Sequence, residues 1–121
     1  MYRDESIEQE AVVRWMEANY PRLVFSANIS GTRRGTKLQR ILNGKEAKRL
    51  GYRRGIPDIT IYKAVGAYHG LMIEMKSEVG RESDDQKQVR ELLEAEGYSV
   101  KVCKGRLEAI LEINKYITGQ G

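Results

Sequence analysis

The amino-acid sequence predicts an α/β domain in which a central mixed sheet of about four strands is flanked by helices. Stretches with apolar residues every three to four positions, typical of amphipathic helices, alternate with short runs of β-forming residues, typical of strands. Glycine, proline and polar clusters separate these stretches. The resulting order is α-β-α-β-β-α-β-α, and we predict one domain over residues 1–121.

The first half of the chain contributes two helices and a strand to this prediction. Residues 5–19 predict a helix, because its larger apolar residues share one face and Pro21 follows its end. A short strand is predicted over residues 23–27. A basic helical segment is predicted over residues 37–50, because glycines stand on both sides of it.

A β-hairpin is predicted next. The runs ITIY, residues 59–62, and LMIEMK, residues 71–76, alternate as strands do, and VGAYHG joins them. The single histidine, His69, falls in this turn, and we expect it in solvent.

The last part of the chain predicts a helix, a strand and a helix. Ser83 fits an N-cap and Gln86 completes a capping box, so a helix is expected to run to about residue 96. Gly97 suits the left-handed residue that ends a helix. Residues 98–103 then read as a strand and residues 106–116 as a helix.

The composition excludes several classes of protein. A chain of 121 residues can bury one core without disulfides, and its single cysteine, Cys103, excludes an internal disulfide and a cysteine zinc site. No apolar run approaches the ~18 residues that cross a bilayer. The acidic start MYRDESIEQE does not resemble a secretory signal. We therefore predict a cytoplasmic protein with no membrane partner.

Positive charge is concentrated in residues 31–55. Nine basic side chains stand there against the single acid Glu46, so this segment carries +8 while the whole chain carries +4. A solvated helix face usually mixes both signs, and a solvated basic loop is the alternative interpretation. Clustered Lys and Arg bind polyanions, because each one placed near a phosphate releases counterions. Our candidates for phosphate contacts are Arg33, Arg34, Lys45, Arg53 and Arg54.

Two acids and a lysine are predicted to meet at the hairpin. Asp58 opens the first strand, and Glu74 and Lys76 share one face of the second. A turn centred near Ala67 sets Asp58 opposite Lys76, and a small change of register sets it opposite Glu74. In both registers the side chains lie within the ~5 Å of a cross-strand pair or one diagonal step.

This group suits a hard divalent cation. Mg²⁺ or Mn²⁺ can be held by one or two carboxylates together with waters and a substrate phosphate. Asp58 and Glu74 are the predicted ligands, with the backbone carbonyl of Met75 as a further one, and Lys76 is predicted to assist an attacking water. Pro57 restricts the backbone in front of Asp58 and so presents its carboxylate rigidly. Taken singly, an E-x-K pair and a Pro-Asp dipeptide are common; their order and the basic segment favour a catalytic site.

These residues resemble a known family. GIPD followed by EMK is similar to the PD-(D/E)xK nuclease signature. The stretches ESIEQEAVVRWMEANYP, NISG, GIPDITIY, GLMIEMKSEVGRESDDQKQ and EAEGYSVKVCKGRLEAILEINKYI together resemble the VRR-NUC domain in its stand-alone phage and bacterial form. The resemblance covers nearly the whole chain and implies a restriction-endonuclease-like fold. Asn28, in NISG, fits either a DNA groove or a turn.

The resemblance also implies roles for further residues. The family has a glutamine on the helix after the lysine strand, which Gln86 matches, and an acid on the first helix. Glu5, Glu8 and Glu10 are the candidates for that acid. Glu10 falls on the outer face, whereas Glu5 continues the stripe that includes Val12, so Glu5 is preferred and Glu8 is the reserve. Glu5 would join the metal site directly or through a water.

The activity implied is that of a Mg²⁺- or Mn²⁺-dependent endonuclease on DNA. No base-reading helix is evident, so recognition of DNA structure is favoured over recognition of sequence. Related stand-alone members imply a homodimer that resolves four-way junctions, as in DNA repair or recombination, and larger relatives imply flap cutting. A non-catalytic nucleic-acid-binding module with the same fold is the rival, and a sequence-specific restriction-type enzyme is a third reading.

Overall fold

The computed structural model describes residues 5–28 and 48–120. The predicted helical segment over residues 37–50 lies mostly outside these ranges, as do Arg33, Arg34 and Lys45. The elements are helix α1 (Glu5–Asn19), strand β1 (Phe25–Ala27), β2 (Ile59–Ile61), β3 (Leu71–Lys76), helix α2 (Asp84–Ala95), β4 (Ser99–Lys104) and helix α3 (Arg106–Ile117).

The four strands form one mixed sheet in the order β1-β2-β3-β4. β1 pairs antiparallel with β2, and β2 pairs antiparallel with β3. β4 returns parallel to β3 after the α2 crossover. The predicted α/β class, with about four strands in a mixed sheet flanked by helices, is confirmed.

The core lies on one face of the sheet. Ile73 and Met75 of β3 point to this face and are fully buried against α1 and α3, which contribute Met16 and Ile113. Since neighbouring strand residues point to opposite faces, Glu74 projects from the other face. Val89 of α2 is buried as well. Helix α2 contacts β4, at one side of the sheet.

The element boundaries differ slightly from the prediction. β1 begins at Phe25 rather than two residues earlier, and β2 ends at Ile61. The pairing continues beyond the strand as a single bond, because the Tyr62 amide donates to the Val24 carbonyl at 2.9 Å. β4 starts one residue later than predicted, at Ser99. No helix within the described ranges is long and apolar enough to cross a membrane.

One acid of α1 is buried. The residues buried along this helix are Glu8, Val12 and Met16, whereas Glu5, in the first turn, is exposed. Glu8 is buried because it accepts hydrogen bonds from the backbone amide of Arg106, at 3.0 Å, and from its guanidinium, at 2.8 Å. Helix α3 begins after Gly105, which has no side chain to cap it, so Glu8 supplies the missing acceptor.

Candidate active site

Asp58 stands at the end of the β2–β3 ladder. Ile59 pairs with Ile73, so extending this register by one residue sets Asp58 opposite Glu74, the second of the two predicted registers. Its Oδ2 accepts a hydrogen bond from the backbone amide of Met75 at 2.7 Å. The carboxylate is thus fixed to the strand that carries the other acid and the lysine.

Asn28 holds the turn in front of Asp58. Its backbone amide donates to the Asp58 carbonyl at 2.7 Å. Its side-chain Nδ2 donates to the Pro57 carbonyl at 2.9 Å and to Thr60 Oγ1 at 2.8 Å. Asn28 thus has a structural role at this turn, and its role in a DNA groove stays a prediction. Three bonds from one residue restrict the backbone on both sides of the catalytic candidate.

Gly55 lets this turn approach helix α2 closely. Its φ is +89°, a conformation that L side chains rarely adopt. A Cβ built at Gly55 would lie 2.6 Å from the carbonyl oxygen of Asp85 and 3.1 Å from the amide of Gln86. The glycine therefore brings the start of α2 beside the turn that carries Asp58.

Pro57 affects the backbone of Met75. Extending the register by two residues sets Pro57 opposite Met75. This position is a hydrogen-bonded pair of the antiparallel ladder, in which the N–H and C=O groups of the two residues face each other, but proline has no N–H to donate. The Met75 carbonyl is therefore left without its ladder donor on the side where its amide binds Asp58. This relationship suits the predicted use of that carbonyl as a ligand.

Gln86 links the start of α2 to Glu74. Its Oε1 accepts from the Ser83 amide at 2.8 Å, and the Gln86 backbone amide donates to Ser83 Oγ at 3.1 Å in return, so the predicted capping box is present. Because Oε1 is used in this way, Nε2 points away and donates to Glu74 Oε2 at 2.7 Å. Glutamate can also complete a capping box, but only glutamine has a donor left for Glu74.

Lys76 completes the group. Its Nζ lies 3.7 Å from Glu74 Oε2, and both side chains are largely shielded from solvent, with 12% and 5% exposed. The backbone of Lys76 is fixed as well, because its carbonyl accepts from the Gly105 amide at 3.2 Å. Asp58, Glu74, Lys76 and Gln86, four of the predicted site residues, are thus brought together.

The two carboxyls perturb each other. Burial, followed by the charge of Asp58, raises the pKa of Glu74 from its ordinary 4.5 to about 8. Burial also raises the pKa of Asp58. Without a cation, the pair therefore retains a proton near neutral pH.

The first-helix acids differ in their surroundings. The charge of Glu5 raises the pKa of both Asp58 and Glu74, so Glu5 lies within electrostatic reach of the pair. Glu8 instead binds Arg106. Glu10 is exposed and binds Arg14 on the outer face, as predicted. Of these three acids, Glu5 is therefore the one whose charge acts on the pair.

The donor set fits a cation that keeps part of its water shell. In the part of the chain that the structure describes, no group of three or more His, Cys, Asp and Glu side chains could hold a metal ion. Asp58 and Glu74 together with the Met75 carbonyl provide oxygen donors of the type that Mg²⁺ and Mn²⁺ prefer. A site of this kind needs waters or a substrate phosphate to complete its coordination.

The two arginines just before the site are accessible. Arg53 and Arg54 are exposed, and Arg54 has 90% of its side chain in solvent, with its Nε 3.8 Å from Asp85 Oδ2. Such a long, exposed ion pair contributes little to stability and leaves the guanidinium available to a phosphate.

Sequence reasoning missed the packing role of Gly55, because a glycine that only forms a turn looks the same in the sequence.

The comparisons with known proteins agree with this geometry. A sequence model described as the VRR-NUC domain matches residues 3–107. The chain belongs to the VRR-NUC family. A solved structure titled "VRR_NUC domain protein" is similar to it, with a TM-score of 0.72 and 31% identity over 98% of this chain and 91% of the other. A search of curated proteins gave no significant match. Membership of the VRR-NUC family implies a nuclease-type function that acts on nucleic acid.

Proposed function

We propose that this VRR-NUC protein is a Mg²⁺- or Mn²⁺-dependent endonuclease that hydrolyses phosphodiester bonds in DNA. One observation carries the proposal. Asp58 and Glu74 converge at the end of one strand pair, with Lys76 3.7 Å from Glu74 and with Gln86 bound to it. Buried like charges of this kind are costly unless a cation or a proton lies between them.

Asp58, Glu74 and the Met75 carbonyl would hold the cation, with Glu5 contributing through a water. When bound, the cation would supply positive charge to the scissile phosphate and to the charge that develops during hydrolysis. Lys76 would orient the attacking water and stabilise the transition state from the adjacent strand position. Gln86 would hold Glu74 in place through its 2.7 Å bond.

The substrate would be branched DNA. Arg53 and Arg54 lie next to the site, and Arg33, Arg34 and Lys45 fall in the basic segment outside the described residues. These side chains suit phosphates, which carry little sequence information. A homodimer would present two symmetric sites to a four-way junction, whereas one site is enough for a flap. Light scattering of the free protein tests the dimer directly.

The activity is tested by incubating labelled junction, flap, single-stranded and duplex DNA with Mg²⁺ or Mn²⁺. Asp58→Ala and Lys76→Ala are expected to lose cleavage by at least about a hundredfold, the usual scale for a lost electrostatic contributor. Asp84→Ala and Lys101→Ala serve as matched controls, because Asp84 and Lys101 are exposed. Both controls should cleave like the wild type.

The same assay separates this proposal from its rivals. A non-catalytic module would bind the DNAs without cutting any of them, with or without a cation. Cleavage by Asp58→Ala at the wild-type rate would show that another site is responsible. A fixed cut position on linear duplex DNA would instead indicate a sequence-specific enzyme.

A further inference from the structure

A groove runs along the sheet face that carries Glu74. Because alternate strand residues share a face, the row Glu74, Met72 and Gly70 continues along β3 away from the candidate site, beside Thr60 and Tyr62. Beyond Glu74, the residues Gly70, Met72, Thr60 and Tyr62 line a cavity of about 370 Å³. It falls within the range of ~300–1,000 Å³ that is usual for small-molecule sites. Its lining includes the side chains of Asn28, Thr60, Tyr62, His69, Met72 and Tyr98.

The groove is continuous with the candidate active site. Asn28 and Thr60 line it, and both belong to the hydrogen-bonded turn around Asp58. Its far end at Gly70 lies four residues from Glu74, or about 13 Å along the strand. A stacked DNA strand advances 3.4 Å per nucleotide, so this distance corresponds to at most about four nucleotides from the scissile phosphate.

Two glycines place aromatic rings at the far end. A Cβ at Gly97 would lie 2.5 Å from the ring of His69, and a Cβ at Gly70 would lie 3.6 Å from the ring of Tyr98. The two rings meet edge to face with centroids 6.0 Å apart. His69 is exposed, as predicted, but its ring also packs against Gly97 and the ring of Tyr98. The rings are therefore fixed at the groove rather than free in a turn.

The lining favours a planar, uncharged ligand. None of the described residues that line the groove is a Lys, Arg, Asp or Glu, so a phosphate would find no counter-charge there. Aromatic rings and the Met72 thioether make favourable contacts with π systems. Asn28 Oδ1 accepts no hydrogen bond from the described residues, because both side-chain bonds of Asn28 use Nδ2.

We propose that this groove binds one unpaired nucleobase of the DNA strand that is cut, within about four nucleotides of the scissile phosphate. The inference rests on the proposed nuclease function and refines its substrate. A base paired inside a duplex is stacked on both faces and must first be extruded. That cost is least for a base that is already unpaired. The groove would thus favour branched or frayed DNA over intact duplex.

The test uses flap and junction substrates that each carry one abasic site, placed in turn at the four nucleotides on either side of the cut. At one or two positions, loss of the base should slow cleavage about tenfold, the scale of one stacked base. Tyr62→Ala and Tyr98→Ala should slow cleavage of the intact substrate by a similar factor. Neither variant should slow cleavage of the matching abasic substrate any further. Tyr62 is 57% exposed, so its variant is expected to fold.

Tyr68→Ala is the control, because Tyr68 contacts Tyr116 and does not line the groove. It should cleave intact and abasic substrates as the wild type does. Equal cleavage rates for all abasic positions would overturn the inference. Tyrosine variants that slow cleavage of abasic and intact substrates equally would overturn it as well. If Asp58→Ala abolishes cleavage but no abasic position slows it, the nuclease function stands and the groove assignment fails.

A binding measurement keeps the inference testable if no DNA is cut. Oligonucleotides carrying 2-aminopurine at successive positions are titrated with the protein in EDTA. The emission should change at one or two positions with the wild type and with Tyr68→Ala, and this change should be lost with Tyr62→Ala. A uniform response at every position would overturn the groove assignment, whatever the outcome for cleavage.

Discussion

The backbone amide of Met75 donates a hydrogen bond of 2.7 Å to Oδ2 of Asp58. In a continued ladder this amide would instead bind the carbonyl of Pro57, which Asn28 Nδ2 occupies at 2.9 Å. The carboxylate of Asp58 has thus replaced a backbone acceptor. A single bond therefore both ends the β2–β3 pairing and fixes Asp58 beside Glu74.

Replacing Pro57 should weaken cation binding. Pro57→Ala restores an N–H opposite the Met75 carbonyl, and an intramolecular hydrogen bond there competes with a cation. Such a bond contributes about 1 kcal/mol, so affinity for Mn²⁺ is expected to fall about fivefold in calorimetric titration. Pro21→Ala is the control, because Pro21 lies exposed in the turn after α1. Equal affinity in the wild type and Pro57→Ala would show that this carbonyl is not a ligand.

Removing the Asn28 side chain should destabilise the site. Asn28→Ala deletes the bonds to the Pro57 carbonyl and Thr60 Oγ1, which should cost about 1–3 kcal/mol in urea unfolding and reduce cleavage. Asn19→Ala also deletes one side-chain bond, to the Trp15 carbonyl, but on an exposed helix end. Its effect should stay within about 0.5 kcal/mol. Similar losses for both variants would contradict the special position of Asn28.

Much of this site could be predicted from the sequence, because its chemistry is local to two strands. Alternation along β3 placed Glu74 and Lys76 on one face, and the structure has them there. The hairpin register could not be fixed from the sequence, since the turn length allowed Asp58 to lie opposite either Lys76 or Glu74. The observed Ile59–Ile73 pairing selects Glu74.

The contacts that position the site were harder to predict, because they join residues far apart in the chain. Glu8 looked like a reserve ligand, yet it caps α3 through Arg106, which lies 98 residues away. Gly55 looked like an ordinary turn residue, and only the position of α2 reveals its packing role. Periodicity indicates which face of a helix or strand a residue occupies, but it does not identify the residue that it contacts on that face.

A methyl group at Gly55 should separate the turn from α2. Gly51 and Gly55 have similar φ angles, +94° and +89°, but a Cβ at Gly51 would meet no atom within 4 Å. Gly51→Ala should therefore cost only the backbone strain, about 1–2 kcal/mol. Gly55→Ala adds a 2.6 Å contact with the Asp85 carbonyl, so overpacking should add about 1–3 kcal/mol in urea unfolding. Equal losses for the two variants would refute the close approach.

Replacing Gln86 by glutamate should separate helix capping from the role at Glu74. Gln86→Glu keeps the acceptor for the Ser83 amide, but it loses the donor to Glu74 and adds a negative charge beside it. A hydrogen bond to a charged group contributes about 1.5–3 kcal/mol, so cleavage should fall about tenfold or more. Gln88→Glu, on the same helix and exposed, is the control for added charge. Full activity of Gln86→Glu would show that Glu74 does not need this donor.

The stability of the cation-free protein should fall as the pH rises from about 4.5 to about 8, because burial and Asp58 raise the pKa of Glu74 to about 8. Below this window Glu74 is protonated in both the folded and the unfolded chain. Within it, the unfolded chain ionises Glu74 while the folded chain keeps the proton, so unfolding is favoured. Above it, Glu74 is ionised in both states and its contribution to stability no longer changes.

Thermal unfolding in EDTA across this window provides the measurement. Glu74→Gln should flatten the decline, because its amide does not titrate and its oxygen can still accept from Gln86. Glu78→Gln, which replaces an exposed acid, should decline as the wild type does. Added Mg²⁺ should restore stability mainly at the upper end of the window, where the ionised pair binds it best. A wild-type melting temperature with the same pH dependence as that of Glu74→Gln would show that Glu74 does not hold the proton.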